Sequence, residues 1–235
     1  MKTKTYRLDR FIQKYMGTAL GAVRLMVAQK RILVDAEYAT SVQQLIGEFT
    51  AVIVDGQTLQ NNHPRYIVLH KPRGIVSATS DEMHTTVIDL LPQDISEGLH
   101  LVGRLDFNST GLMLLTNDGQ WSRGINDSVK KVPKYYRVTL DKPVDDAVVA
   151  AFNAGIYFAY EDITTQPAQL NIISPFEVEV ILTEGRYHQI KRMFGHFQIE
   201  VLTLHRFKIG RFELEDDLPE GAYRLLTDTE RRLVL

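Results

Sequence analysis

Cysteine is absent from the 235 residues. That removes disulfides, thiolate zinc sites and cysteine nucleophiles together. Long apolar runs are missing too. Nothing approaches the roughly 20 residues of a membrane span, and no apolar core of a secretory signal follows the opening "MKTKTYRLDR". A soluble, cytoplasmic protein is expected. The glycines form neither G-x-G-x-x-G nor G-x-x-x-x-G-K, so no nucleotide cofactor is expected. No two histidines have the i, i+4 spacing of a helical ligand pair, so no metal is expected either. His188 is expected to hydrogen-bond within the core, beneath a helix.

An excess of charge of either sign is also lacking, since 27 Lys and Arg face 29 Asp and Glu. Any affinity for a polyanion must therefore be local. Three segments are locally basic. Residues 1–35 carry Lys2, Lys4, Arg7, Arg10, Lys14, Arg24, Lys30 and Arg31 against Asp9 and Asp35. A second cluster runs from Arg123 to Arg137, and a third from Arg186 to Arg211.

What is present is an ordinary globular composition, 44% hydrophobic and 24% charged, enough for a real core in one large domain or two small ones. "YRLDRFIQKYM" places Leu8, Phe11, Ile12 and Tyr15 on one helical face, and "LGAVRLMVAQKR" turns Val23, Met26 and Val27 inward. Short strands follow in "RILVDAEYAT" and "FTAVIVDGQTL". Residues 61–64, within "QNNHP", read as a linker. Beyond them, strand-like segments rich in β-branched and aromatic residues dominate, from "RYIVLHKP" to "IEVLTLHRFKIGRFEL". Helices are expected in "DDAVVAAFNAG", "RYHQIKRMFGHF" and "TDTERRLVL", the last opening on a Thr227–Glu230 capping box. The order implies an α+β fold with a mixed, mainly antiparallel sheet.

The segment "GRLDFNSTGLMLLTND" places Asp106 between two strand-like runs. On pattern alone it is a turn, with Asp106 accepting backbone hydrogen bonds. Tyr136, alternating with Val138 and Leu140, is by the same standard a core aromatic, and Lys191 and Arg192 a solvated helix face. The order of the motifs changes this reading. "HKPRG", "VGRLDFNSTGLMLLTNDG", "KYYRVTL" and "EGRYHQIKRMF" follow a basic helical module. The set resembles the RsuA family of pseudouridine synthases, which isomerise a uridine in small-subunit ribosomal RNA, and the resemblance spans nearly the whole chain.

The resemblance implies an enzyme without cofactor that acts on 16S ribosomal RNA, of the uridine-516 type, or on an assembly intermediate containing it. Asp106 matches the catalytic aspartate of "GRLD". Lys191 matches the basic residue of "HQIKR", a cation that favours an ionised carboxylate. Tyr136 matches the tyrosine of "KYYRV", whose ring can stack on uracil and whose hydroxyl can help to move the C5 proton. Arg104 matches an arginine that takes the place of the extruded nucleotide or grips its backbone, extrusion being required because a stacked base cannot be worked on. "HKPRG" is expected to turn the chain and to brace the aspartate loop through Lys71.

Residues 1–60 resemble an S4-like RNA-binding domain through "RLDRFI" and "KRILVD", although Ala22 to Arg24 replace the usual Ser-Arg entry to the second helix. Phosphate contacts are expected from Arg7, Arg10, Lys14, Arg24, Lys30 and Arg31. Residues 65–235 would form the catalytic domain of a monomer. The alternatives are a large-subunit synthase, or an RNA-binding assembly factor without catalysis. "EGRYHQIKRMF" and "NDGQWSRGI" favour the small-subunit type, and a dead enzyme would not need the set Arg104, Asp106, Tyr136 and Lys191. A uridine methyltransferase commonly uses a cysteine, which is lacking.

Overall fold

The computed structural model describes residues 5–127 and 129–235, and the chain divides into two compact units, 1–64 and 65–235. The first contains β1 (Tyr6–Arg7), α1 (Leu8–Met16), α2 (Leu20–Ala28), β2 (Ile32–Val34), β3 (Glu37–Tyr38), β4 (Leu45–Ile46), β5 (Val52–Val54) and β6 (Gln57–Gln60). An antiparallel sheet in the order β3-β2-β5-β6 carries its core on alternate residues: Ile32 pairs with Val54 and Val34 with Val52, all four buried. Leu8, Phe11, Ile12, Val23 and Met26 pack against it.

Two expectations change here. Tyr15 is exposed, because it lies in the last turn of α1; its ring tilts against Phe11 and lies 5.0 Å from the Lys14 ammonium. Val27 is only half buried. Gln60 closes β6, and its amide donates to the Gly47 and Thr50 carbonyls at 2.7 Å each.

The second unit follows with β7 (Tyr66–Lys71), α3 (Gln93–Ser96), β8 (His100–Val102), β9 (Thr110–Thr116), α4 (Gly119–Asn126), β10 (Lys134–Leu140) and α5 (Asp146–Ala154). It continues through β11 (Tyr157–Phe158), β12 (Ile163–Thr164), β13 (Gln169–Ser174), β14 (Glu177–Leu182), α6 (Gln189–Gly195), β15 (Val201–Ile209), β16 (Phe212–Glu213), β17 (Tyr223–Leu225) and α7 (Asp228–Leu233). Its main sheet has the order β13-β14-β10-β15-β9-β7-β17, with β8 beside β9 and β16 beside β15. The architecture is α+β, and the sheet is mixed and mainly antiparallel.

Both faces of this sheet are covered, which explains why "GLMLLT" is a continuous apolar run. Met113 and Leu115 face the core that holds Phe152 of α5 and Phe194 of α6, while Leu112 and Leu114 face the core that holds Trp121 and Ile125 of α4. The capping box at Thr227 and Glu230 is present. Helix α4 was not expected, because Gly119 and Gly124 weaken its pattern; Asp118 caps it by accepting from the Gln120 and Trp121 amides.

One pairing fixes the loop that carries Asp106. Strand β9 runs parallel to β15 only at Thr110–His205 and Gly111–Arg206. Gly111 has φ 108°, and a Cβ there would stand 2.2 Å from the Arg206 carbonyl oxygen. Only glycine permits that conformation and that approach. Gly111→Ala should therefore lower stability by about 3 kcal/mol or more, backbone strain alone accounting for about 1–3. Urea denaturation measures this, and a loss below about 1 kcal/mol would show that the β9–β15 pairing yields easily.

Candidate active site

Asp106 stands on the loop between β8 and β9, and that loop is held from beneath. Lys71, at the end of β7, is fully buried; its ammonium donates to the carbonyls of Ser109 at 2.9 Å, Pro72 at 3.0 Å and Phe107 at 3.5 Å. The Phe107 carbonyl also accepts the Gly74 amide at 2.9 Å. The Ser77 hydroxyl donates to the Leu105 carbonyl at 2.6 Å and accepts the Leu105 amide at 3.1 Å. With its backbone tied at these points, the loop turns the Asp106 carboxylate outward, a quarter exposed. Burial pushes the Lys71 ammonium down to about 8; the Asp106 charge works against this and the Arg206 charge adds to it.

Helix α6 and the turn before it supply the groups facing Asp106. Lys191 Nζ lies 3.1 Å from one carboxylate oxygen and His188 Nε2 lies 3.4 Å from the other. His188 thus departs from expectation: it is half exposed at the site, not beneath the helix. The cause is local. His188 precedes α6 with φ 48° and ψ 33°, a left-handed conformation in which its ring stacks on Tyr187 at 3.9 Å and faces Asp106.

These groups line a cleft of about 1000 Å³ that also takes in Arg104, Lys134, Tyr136, Glu184 and Arg206. The structure therefore brings Arg104, Asp106, Tyr136 and Lys191 to one cavity. Arg104 is exposed on the loop, and Tyr136 is buried in the wall. Arg192 points elsewhere: it forms two hydrogen bonds with the Glu161 carboxylate and lies 3.8 Å from the centre of the Phe158 ring. Glu184 orders the rim, accepting from the Gln166 amide and Gln189 Nε2 at 2.8 Å each and from Arg186 Nε at 3.0 Å.

Two cleft residues are not marked as such by the sequence. Arg206 reads there only as part of a basic cluster, yet it is 2% exposed. Its Nε donates to the Leu112 carbonyl at 2.8 Å and its Nη1 to the Arg104 carbonyl at 3.4 Å. Lys134, half buried, is pushed down to about 8 by burial and then by the charge of Arg206. The available signal is spacing, since Lys134 lies two residues before Tyr136 on a strand. Among the described residues, no group of three or more His, Asp or Glu side chains is placed to hold a metal.

In the first unit the basic residues differ in what they already hold. Arg31 grips Asp55 with two hydrogen bonds of 2.8 and 2.6 Å, and Arg7 pairs with Asp9 at 2.7 Å. Arg10, Lys14, Arg24 and Lys30 are exposed and in no ion pair among the described residues.

A family profile described as RNA pseudouridylate synthase matches residues 65–196. The chain is 45% identical over 225 residues to ribosomal small subunit pseudouridine synthase A of Pseudomonas aeruginosa, covering 95% of this chain and 98% of that protein. It is 40% identical to the protein of the same name from Escherichia coli K12, with 95% and 97% covered. A crystal structure of a pseudouridylate synthase superposes with a TM-score of 0.71 at 35% identity, covering 97% of this chain and 99% of that one. Fold and cleft together define an RNA-modifying isomerase. The chain belongs to the RsuA family of RNA pseudouridine synthases.

The buried lysine has a measurable signature. Folded, Lys71 titrates at about 8 against an ordinary 10.5, so between those values the unfolded chain holds more protons and rising pH favours the folded state. Lys71→Met forfeits that gain and leaves the Ser109 and Pro72 carbonyls without this donor, at about 1–3 kcal/mol. The stability gap between wild type and variant should widen from about pH 8 to about pH 10. Urea denaturation across that range reads it, and a constant or closing gap would contradict the burial of a charged ammonium.

Proposed function

We propose that this chain converts one uridine of small-subunit ribosomal RNA to pseudouridine, with Asp106 as the reacting carboxylate. The observation that carries this reading is Asp106 itself, presented by a braced loop into a cleft between Lys191 and His188. Relatives named as small-subunit synthases, matching over 95% of the chain, support the choice of RNA. The uridine is of the 516 type by that resemblance.

The reaction breaks the C1′–N1 bond, turns the base and joins C1′ to C5; C5 gives up a proton and N1 gains one. Nothing is oxidised or reduced, so no cofactor is required. Asp106 meets the sugar or the ring, and Lys191 offsets the cost of keeping a carboxylate in a pocket closed by RNA. Tyr136 stacks on the extruded uracil and its hydroxyl assists the C5 proton. Arg104, exposed beside the cleft, fills the vacated place in the RNA or grips its backbone.

Residues 1–60 act as an S4-like docking module, 61–64 as the linker and 65–235 as the catalytic domain of a cytoplasmic monomer. Arg10, Lys14, Arg24 and Lys30 supply the phosphate contacts first, since Arg7 and Arg31 must release Asp9 and Asp55 to join them.

Pseudouridine mapping of ribosomal RNA from cells with and without the protein tests the assignment. One small-subunit position should lose its modification; wild type should restore it, and Asp106→Asn should not, although its RNA affinity stays within a few-fold. If no small-subunit position changes, the choice of RNA is wrong, and if Asp106→Asn restores the modification, the role of Asp106 is wrong. Replacing Arg10, Lys14, Arg24 and Lys30 together by Gln should flatten the slope of log affinity against log salt by about 3, roughly 0.7–0.9 for each phosphate no longer neutralised. Affinity should fall far more than the maximal rate. The reverse pattern would make the first unit a brace for the catalytic domain.

A further inference from the structure

The floor of the cleft holds more positive charge than the reading above uses. Lys134 and Tyr136 are two apart on β10 and project to one side of the sheet. A bulge brings Arg206 to the same side: Tyr135 pairs with Lys208 but Tyr136 pairs with Arg206, leaving Phe207 as the extra residue of β15. Without it Arg206 would stand opposite Arg137, one step out of phase with Tyr136. The bulge thus aims a guanidinium at the floor, and all three residues line the cleft.

These cations lack an anion. Arg206 Nη2 is buried with no hydrogen-bond partner, and the Lys134 ammonium has neither a hydrogen bond nor an ion pair among the described residues. Asp106 is already engaged by Lys191 and His188, and Glu184 by the rim. Around the cleft stand Arg104, Lys131, Lys134, Arg186, Lys191 and Arg206, against only Asp106 and Glu184. Burial first, and then the charge of Arg206, lowers the titration of Lys134, with no nearby anion to oppose them.

We propose that Lys134, backed by Arg206, receives the negative charge that uracil carries while it is detached from the sugar. This rests on the isomerase reading and deepens it. When C1′–N1 breaks, the bonding pair stays with N1 and the base becomes an anion whose charge is shared with O2 and O4. The detached sugar is left electron-poor at C1′; when C5 attacks it, the pair returns to the sugar and the base is neutral again, after which C5 releases its proton and N1 takes one up. Cations fixed in place before the bond breaks meet that charge without reorganising. The other anion in RNA, the phosphodiester, fits exposed cations such as Arg104 and Lys131 better than a guanidinium 2% exposed.

The test uses the full chain and a small-subunit ribosomal RNA fragment, comparing wild type, Lys134→Met and Lys134→Arg by single-turnover rate, RNA affinity and salt dependence. For Lys134→Met the rate at saturating RNA should fall about 10²–10³-fold, the weight of one donor aimed at developing charge. Affinity should stay within about twofold and the salt slope should not change. Lys134→Arg should recover most of the rate. An unchanged rate for Lys134→Met overturns the proposal. So does weakened binding with a flatter salt slope, which would mark a phosphate contact, or an equal loss in both variants accompanied by lowered thermal stability. If wild type itself leaves the RNA unmodified, the choice of substrate fails, and this proposal fails with it.

Discussion

A single ammonium held among backbone carbonyls is the interaction on which the site depends. Lys71 is wholly buried, and its bonds to Ser109, Pro72 and Phe107 replace water for a group that hydrophobic surroundings would otherwise expel. The loop cannot rearrange without leaving that charge unpartnered, so its shape is fixed before any ligand arrives. The Asp106 carboxylate then needs no further ordering to face Lys191. A carboxylate held in this way is ordered in advance of any bound molecule.

The sheet carries the rest of the cleft on one of its two covered faces. Strand β10 supplies Lys134 and Tyr136, β15 supplies Arg206, and α6 packs across with Lys191. The parallel pairing at Gly111 ties the far end of the Asp106 loop to the backbone of Arg206. Loop and floor are therefore joined by a direct backbone pairing. The cleft thus holds both the Asp106–Lys191 pair, carried by the loop and α6, and the Lys134 and Arg206 cations, carried by the sheet.

Much of this was legible in the sequence. Strand and helix segments followed from period and capping, as at Thr227–Glu230, because those signals are local. Motif order and resemblance pointed to Asp106, Tyr136, Lys191 and Arg104, which the fold brings to one cavity. Local pattern failed where the backbone took an uncommon course. His188 was misplaced because its left-handed conformation has no sequence mark in a histidine, and α4 was missed because its two glycines argue against a helix that Asp118 nevertheless caps.

The sequence by itself determined the apolar strands, from residue type and spacing within each segment, the α+β class, from the order of the elements, and the candidate carboxylate, from the order of the motifs and their resemblance to a family. Only the tertiary structure decided that Arg206 is a floor residue and not a surface cation. Its direction depends on one extra residue, Phe207, in the pairing of two strands whose paired residues lie some seventy positions apart. Register between distant strands is set by packing across the whole sheet, and no local pattern in either strand carries it.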